Sequence, residues 1–459
     1  MKFSSEIFRQ YDIRGIVGPD LTPELAYHLG RAVGSWVKRG GGTKVVLGRD
    51  CRPSGEDFSA ELGRGLRESG VHSIDIGVVP TPVVYWAIEH LDADGSIAIT
   101  GSHNPAEYNG FKLTLLGRSL FGEDIQKLRL SIENEDYESG EATHQTTPVV
   151  DAYLDELVEN LKPVERKLKV VVDAGNGVGG ITALPLFERM GCEVIPLYCE
   201  LDGTFPNHHA DPTVEENLAD LKRSVLGHGA DLGLAFDGDA DRIGVVDRNG
   251  EVIWGDKLMI LLSRALLKEE PGAVIIGEVK CSKTLYDDIA AHGGKPIMWI
   301  TGHSLIKAKM KEEKAALAGE MSGHIFYKHR YYGFDDAAYA SGRLLEIMGS
   351  TNASVSELLA DVPKTVSTPE LRMDCPENIK FDLVKRVIGS FQERAKSEPF
   401  SVIDIDGARV EWEDGWGLVR CSNTQPILVL RFEAQNETRL KEIRKVVESE
   451  IELQRAEMN

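Results

Sequence analysis

For most of this chain, short runs of β-branched and other apolar residues alternate with stretches whose apolar side chains recur at helical spacing. That is the pattern of strand–helix units around a largely parallel sheet. Three of the runs end alike: Val45-Val46-Leu47 leads into Gly48-Arg49-Asp50, Val170-Val171-Val172 into Asp173-Ala174-Gly175, and Val274-Ile275-Ile276 into Gly277-Glu278-Val279-Lys280. They predict a repeated α/β module. From Ser401 to Ala434 the pattern changes to short strands separated by Asp406-Gly407 and Asp414-Gly415, flanked by helical stretches before Ala395 and after Asn436. Turn pairs of that kind predict a smaller α+β unit with an antiparallel sheet.

A chain of 459 residues is longer than one hydrophobic core supports, so several domains are expected. The acidic, weakly hydrophobic stretch from Glu133 to Glu141, polar as far as Pro148, reads as a linker. Asn249-Gly250 reads as a hairpin turn before a helix capped by Asp256, and a third break falls near Pro363 to Pro369. The expected domains are 1–148, 149–250, 251–364 and 365–459, an α/β protein of three similar mixed units and a smaller α+β one.

Composition narrows the function. The hydrophobic share of 42% and charged share of 27% are those of a folded protein. A formal net charge of -21 argues against nucleic acid or an anionic membrane as a partner, since both need a basic surface. The apolar runs near Val170 to Val172 and Ile260 to Leu262 are far shorter than the roughly 20 residues that span a bilayer. Met1-Lys2-Phe3-Ser4-Ser5-Glu6 lacks the apolar core of a secretory signal. Six cysteines without a C-x-x-C pair suggest neither zinc nor a disulfide framework. A cytoplasmic protein is expected.

Four loops carry candidate chemistry. Ser102, in Thr100-Gly101-Ser102-His103-Asn104-Pro105, follows an apolar strand where α/β sheets bind ligands; a serine there, taken alone, is more often a loop cap. Asp237-Gly238-Asp239-Ala240-Asp241-Arg242 sets three carboxylates at alternate positions on a tight turn, able to converge on a hard cation such as magnesium. Arg242 and Arg248 stand where an EF-hand calcium loop needs glycine and glutamate. Gly319-Glu320-Met321-Ser322-Gly323-His324 offers groups suited to sugar hydroxyls. Arg420-Cys421-Ser422-Asn423-Thr424-Gln425-Pro426 is an anion cradle in kind or a polar hairpin loop. A rival lies in Gly175-Asn176-Gly177-Val178-Gly179-Gly180, which matches G-x-G-x-x-G after a strand, with Glu200 about 20 residues on, as in nucleotide-dependent dehydrogenases. A glycine-rich turn packing a helix on its sheet explains it too.

In this order the four loops resemble the signature loops of the α-D-phosphohexomutase superfamily, and most nearly its bacterial bifunctional phosphomannomutase/phosphoglucomutase branch. The likeness runs from Phe8-Arg9-Gln10-Tyr11-Asp12-Ile13-Arg14-Gly15 to the last loop. It implies four domains around a central cleft and reversible conversion of hexose 1-phosphate to hexose 6-phosphate, of mannose or glucose. The carrier would be a phosphoserine at Ser102, with a hexose 1,6-bisphosphate as intermediate and activator. By resemblance Asp237, Asp239, Asp241 and Ser102 hold Mg2+. Arg242 stabilises the transferring group, and Lys112, His103 and His324 are candidates for proton transfer or electrostatic aid. Glu320 and Ser322 read sugar hydroxyls, Arg420, Ser422, Asn423 and Thr424 hold the other phosphate, and Tyr11, Arg14, Lys280 and His303 line the cleft. Ala240 stands where the family usually has glycine, and Cys421 where it has a small residue. Met321 favours mannose and glucose over glucosamine, the substrate of the phosphoglucosamine mutase alternative. A catalytically inactive sugar-phosphate-binding protein is the non-enzyme alternative, and a serine acyl hydrolase would leave the carboxylate triplet unused. Hexose phosphates are the expected partners of a monomer, with a dimer as the other possibility.

Overall fold

The computed structural model describes residues 3–422 and 425–458 and contains four sheets. The first three repeat one plan. In each, a buried central strand pairs in parallel with a neighbour on either side: Lys44–Arg49 with His72–Val78 and Gly95–Ile99, Lys169–Asp173 with Glu193–Leu197 and Leu232–Phe236, and Val274–Glu278 with Lys295–Trp299 and Leu317–Gly319. The central strands are the three apolar runs that end alike. Buried on both faces, they read as continuous hydrophobic stretches.

In each of the three sheets one outer parallel strand then turns back into an antiparallel partner: Gly95–Ile99 into Tyr108–Leu115, Leu232–Phe236 into Ile243–Asp247, and Leu317–Gly319 into Ile325–Tyr327. The reversals carry, in turn, the Ser102, Asp237 and Glu320 loops. The fourth sheet is antiparallel, and the turn between Gly415–Cys421 and Ile427–Ala434 carries the Arg420 loop. All four candidate loops are therefore hairpin connections, and two helices, Glu377–Arg394 and Glu437–Glu457, cover the last sheet.

One hydrophobic core runs through the first three units, joining Val46, Trp86, Val170, Phe236, Leu262 and Leu345. The C-terminal unit has its own core around Leu383, Phe391, Leu430 and Ile443, and meets the third unit through a small cluster of Val279, Trp416 and Leu418. Among the described residues no helix is long and apolar enough to cross a membrane.

Two local expectations are corrected. Residues 136–146 are not a free linker: Arg39 binds Asp136 and Glu138, and His144–Thr146 extends the first sheet in parallel with His72–Val78, so basic residues offset the acidic run. Asp256 does not cap its helix. Trp254 is the N-cap of Gly255–Glu269, and Asp256 Oδ2 instead accepts from the Ser282 backbone N–H and faces Arg431.

Candidate active site

The loop reversals meet in a cleft of about 960 Å³ lined by Tyr11, Arg14, Ser102, His103, Lys112, Arg242, Lys280, His303, Glu320, Ser322, His324, Arg420 and Ser422. The structure thus gathers these predicted residues from four sheets. Asp237, Asp239 and Asp241 lie fully buried behind its wall. Asn423 and Thr424 fall outside the described residues.

Ser102 takes a left-handed backbone conformation, φ +49°. Its Oγ donates to Asp237 Oδ2 at 2.9 Å, and His103 Nδ1 lies 3.2 Å away on the other side. The turn is held from behind by Arg52, whose side chain is fully buried. Its guanidinium pairs with Asp50 and donates to the carbonyls of Ser102, Asn104, Pro105 and Tyr108. Asp50 in turn accepts from Thr100 Oγ1 and the Gly101 N–H. Glycine is required at position 101, where a Cβ would lie 2.4 Å from the Arg52 guanidinium carbon.

In the carboxylate loop, Asp237 Oδ1 accepts from the backbone N–H groups of Asp241 and Arg242. Lys112 Nζ bonds Asp239 Oδ2 at 2.7 Å and also Asp241 Oδ2. This asymmetry separates Asp237 from Asp239. Burial and the charges of Asp241 and Asp239 push Asp237 well above the usual carboxylate range. Burial acts the same way on Asp239, but the Lys112 ammonium and its hydrogen bond outweigh it and hold that carboxyl low. Burial disfavours the Lys112 charge, yet the two carboxylates keep it protonated well above the usual lysine range. Asp239 Oδ1 and Asp241 Oδ1 are buried with no hydrogen-bond partner. Three converging buried carboxylates with spare acceptor atoms, beside a serine hydroxyl, match the oxygen donor set of a hard cation.

Arg242 faces the cleft from the same loop, and its Nε donates to His324 Nε2 at 2.9 Å. A neutral imidazole that accepts at Nε2 carries its proton on Nδ1. That atom faces Asp335 Oδ2 at 3.1 Å, and His303 Nδ1 lies 3.8 Å from the same oxygen. Burial, followed by Arg242 and Arg14, drives the His103 imidazole well below its usual range, and burial with Lys307 does the same to His303. In the sugar loop, Glu320 accepts from Ser322 Oγ and the Gly302 N–H. Tyr11 packs against Gly302, where φ is +131° and a Cβ would meet the ring at 2.8 Å. On the far side Lys280 Nζ bonds Glu370 at 3.2 Å and Arg420 Nε bonds Asp406 at 3.0 Å.

The sequence did not single out Asp50, Arg52, Asp335 or Glu278 as site residues. A signal was present for two of them. Each central strand ends in a buried acid that accepts the N–H two residues on: Asp50 from Arg52, Asp173 from Gly175 and Glu278 from Lys280. Glu278 also binds Thr301 Oγ1 and the Met321 N–H. The glycine-rich stretch 175–180 is a packing device. A Cβ at Gly177 would strike the Gly238 carbonyl oxygen at 2.7 Å, and one at Gly179 would meet Phe236 at 2.8 Å. It backs the carboxylate loop.

Family models match the chain in four consecutive blocks, described as phosphoglucomutase/phosphomannomutase α/β/α domain I at residues 5–139, domain II at 151–250, domain III at 254–366 and the C-terminal domain at 370–449. A phosphomannomutase/phosphoglucomutase of Pseudomonas aeruginosa is 46% identical over 447 residues, 97% of this chain and 96% of that one. A phosphoglucomutase of Neisseria gonorrhoeae is 44% identical over 450 residues, 97% of each. A crystal structure of a phosphoglucomutase/phosphomannomutase family protein from Burkholderia thailandensis superposes with a TM-score of 0.93 at 43% identity, over 99% of this chain and 98% of that one.

Proposed function

Because this chain belongs to the phosphoglucomutase/phosphomannomutase family, we propose that it is a mutase interconverting the 1- and 6-phosphates of mannose and glucose, with Ser102 as phosphate carrier. The observation that carries the proposal is Ser102 Oγ at 2.9 Å from Asp237 Oδ2, with Arg242 alongside, at the floor of a cleft whose opposite wall presents Arg420 and Ser422.

In the first half-reaction the sugar's free hydroxyl oxygen forms a bond to the phosphorus of phospho-Ser102 while the Ser102 Oγ–P bond breaks. The hydroxyl proton leaves at the same time. The resulting hexose 1,6-bisphosphate turns over, its other phosphate returns to Ser102, and a proton rejoins the vacated oxygen. Magnesium bound by Asp237, Asp239, Asp241 and a phosphoserine oxygen would neutralise charge on the transferring phosphoryl group. Arg242 adds a guanidinium on the cleft side, and Lys112 acts as a fixed cation rather than a base, since two carboxylates keep it protonated. His103, held neutral beside Ser102 Oγ, is the group suited to move the proton, while His324, whose Nε2 accepts from Arg242 Nε, gives electrostatic aid. Glu320 and Ser322 read sugar hydroxyls while Arg420, Ser422, Asn423 and Thr424 hold the phosphate that is not transferring. Tyr11, Arg14, Lys280 and His303 complete the wall. The proposed enzyme is cytoplasmic, a monomer or alternatively a dimer, activated by hexose 1,6-bisphosphate, and its net charge of -21 disfavours nucleic-acid and membrane partners.

The test is turnover primed with glucose 1,6-bisphosphate. Mannose 1-phosphate and glucose 1-phosphate are converted, glucosamine 1-phosphate much more slowly, and Ser102→Ala lowers the rate at least about a thousandfold because no atom remains to carry the phosphate. Undiminished turnover by Ser102→Ala sinks the mechanism, and preference for glucosamine phosphate reassigns the substrate.

A further inference from the structure

Lys380 stands in the first turn of the helix Glu377–Arg394, beneath the Arg420 loop, and is 1% exposed. Its Nζ donates to the Ser422 carbonyl at 2.7 Å and to the Gln425 carbonyl at 3.1 Å, so one ammonium ties together the two ends of the loop tip. Cys421 Sγ donates to the Lys380 carbonyl at 3.3 Å, and the Gln425 N–H donates back to Ser422 Oγ at 3.1 Å. The carboxylate paired with this ammonium is Glu377, at 2.7 Å, whose side chain is 65% exposed and so only weakly offsets a buried charge.

The place is electrostatically unfavourable for a lysine. The first turn of a helix is the positive end of its dipole, where a cation is the disfavoured charge, and burial adds a desolvation cost. An apolar side chain would pack the same helix on the same sheet without either penalty. Both penalties shrink when an anion sits in the loop, because dipole and ammonium then face a negative charge together. Two carbonyls of the loop are held on the Nζ side.

We propose that Lys380 is a positioning residue of the phosphate cradle, bracing the loop from behind and supplying a fixed positive charge to the phosphate that Arg420 and Ser422 meet from the front. This rests on the reading of residues 420–426 as the holder of the non-transferring phosphate. Lys380 is buried and does not line the cleft, so its effect is the same for every hexose.

Steady-state kinetics of the full-length enzyme, primed with glucose 1,6-bisphosphate, test it. Lys380→Met keeps the apolar stem and removes the charge; it raises KM about tenfold, in equal proportion for glucose 1-phosphate and mannose 1-phosphate, and leaves kcat within about twofold. Lys380→Arg, which restores the charge, recovers most of the loss. A purely structural role instead lowers kcat with the fraction of folded enzyme, at constant KM, and that result overturns the proposal. Arg420→Ala separates the two levels: if it too leaves KM unchanged, the phosphate-holding loop itself is misassigned and the proposal falls with it. If Arg420→Ala raises KM and Lys380→Met does not, Lys380 alone is misassigned. Should Lys380→Met fail to fold, Lys380→Gln carries the same comparison.

Discussion

The two ends of the cleft differ in how they join the rest of the molecule, although a buried cation braces a loop at each. At the Ser102 end, three sheets share one core and the carboxylates are fully buried. At the Arg420 end, a domain with its own core meets the third unit through a small apolar cluster and through buried polar contacts, among them Arg409 on the Val279 and Cys281 carbonyls and Arg431 on the Lys280 carbonyl. Phosphoryl transfer needs donors and carboxylates fixed before the substrate arrives, because reorganising them costs rate. Holding the phosphate that is not reacting needs affinity, which a separable domain can supply. Rigidity is concentrated where bonds change.

The largest effect that can break this comparison lies behind Ser102. Arg52→Ala leaves Asp50 as an unpaired buried charge and frees four carbonyls, with an expected loss of about 3–5 kcal/mol in stability as well as of turnover; chemical denaturation measures the first and the primed assay the second. A stable Arg52→Ala enzyme that is impaired only in KM would show that the two ends are built alike.

Acid provides the next test. His103 and His303 titrate well below the usual histidine range in the folded protein, so the native state binds fewer protons than the unfolded chain once the pH falls below about 6.5. Their contribution is present above that pH and is lost progressively below it. All 12 histidines lie before residue 330, so none belongs to the C-terminal domain. Denaturation midpoints should therefore fall with acid, and His303→Asn should flatten the slope. An unchanged slope in that variant would mean the imidazole is solvated.

The smallest effect concerns Ala240, which holds φ +57° on the carboxylate loop. Alanine there costs about 1 kcal/mol or more in a left-handed conformation, and glycine loses about 0.4–1 kcal/mol through its freer unfolded chain. Ala240→Gly should thus shift Tm by less than about 2 °C in calorimetry. A larger rise would mean that the rigid end stores more strain than its hydrogen bonds reveal.

Much of this site was legible because its groups sit in short contiguous loops. Asp237, Asp239 and Asp241 alternate on one turn, and Ser102, Glu320 and Arg420 each head a run of polar residues between apolar strands. Arg52 and Asp335 were not legible. Arg52 reads as an ordinary loop arginine until the fold places it under a turn about 50 residues away, and Asp335 reads as a helix-cap neighbour until His303 and His324 close on it. The glycines of 175–180 were ambiguous in sequence, since a local pattern that suits pyrophosphate serves equally to let one backbone approach another, and the packing reading is the one the fold uses.

The sequence by itself determined the strand–helix alternation, the repeat of three apolar strands ending in an acid, the change to antiparallel pairing after Ser401, and the kinds of donor on each loop. All follow from local periodicity and residue chemistry. Only the tertiary structure decided that the four loops are hairpin reversals meeting in one cleft, that Lys112 partners Asp239, and that Arg52 and Lys380 brace loops from below. Those arrangements join residues tens to hundreds of positions apart, and their energies arise from burial, which no local pattern encodes.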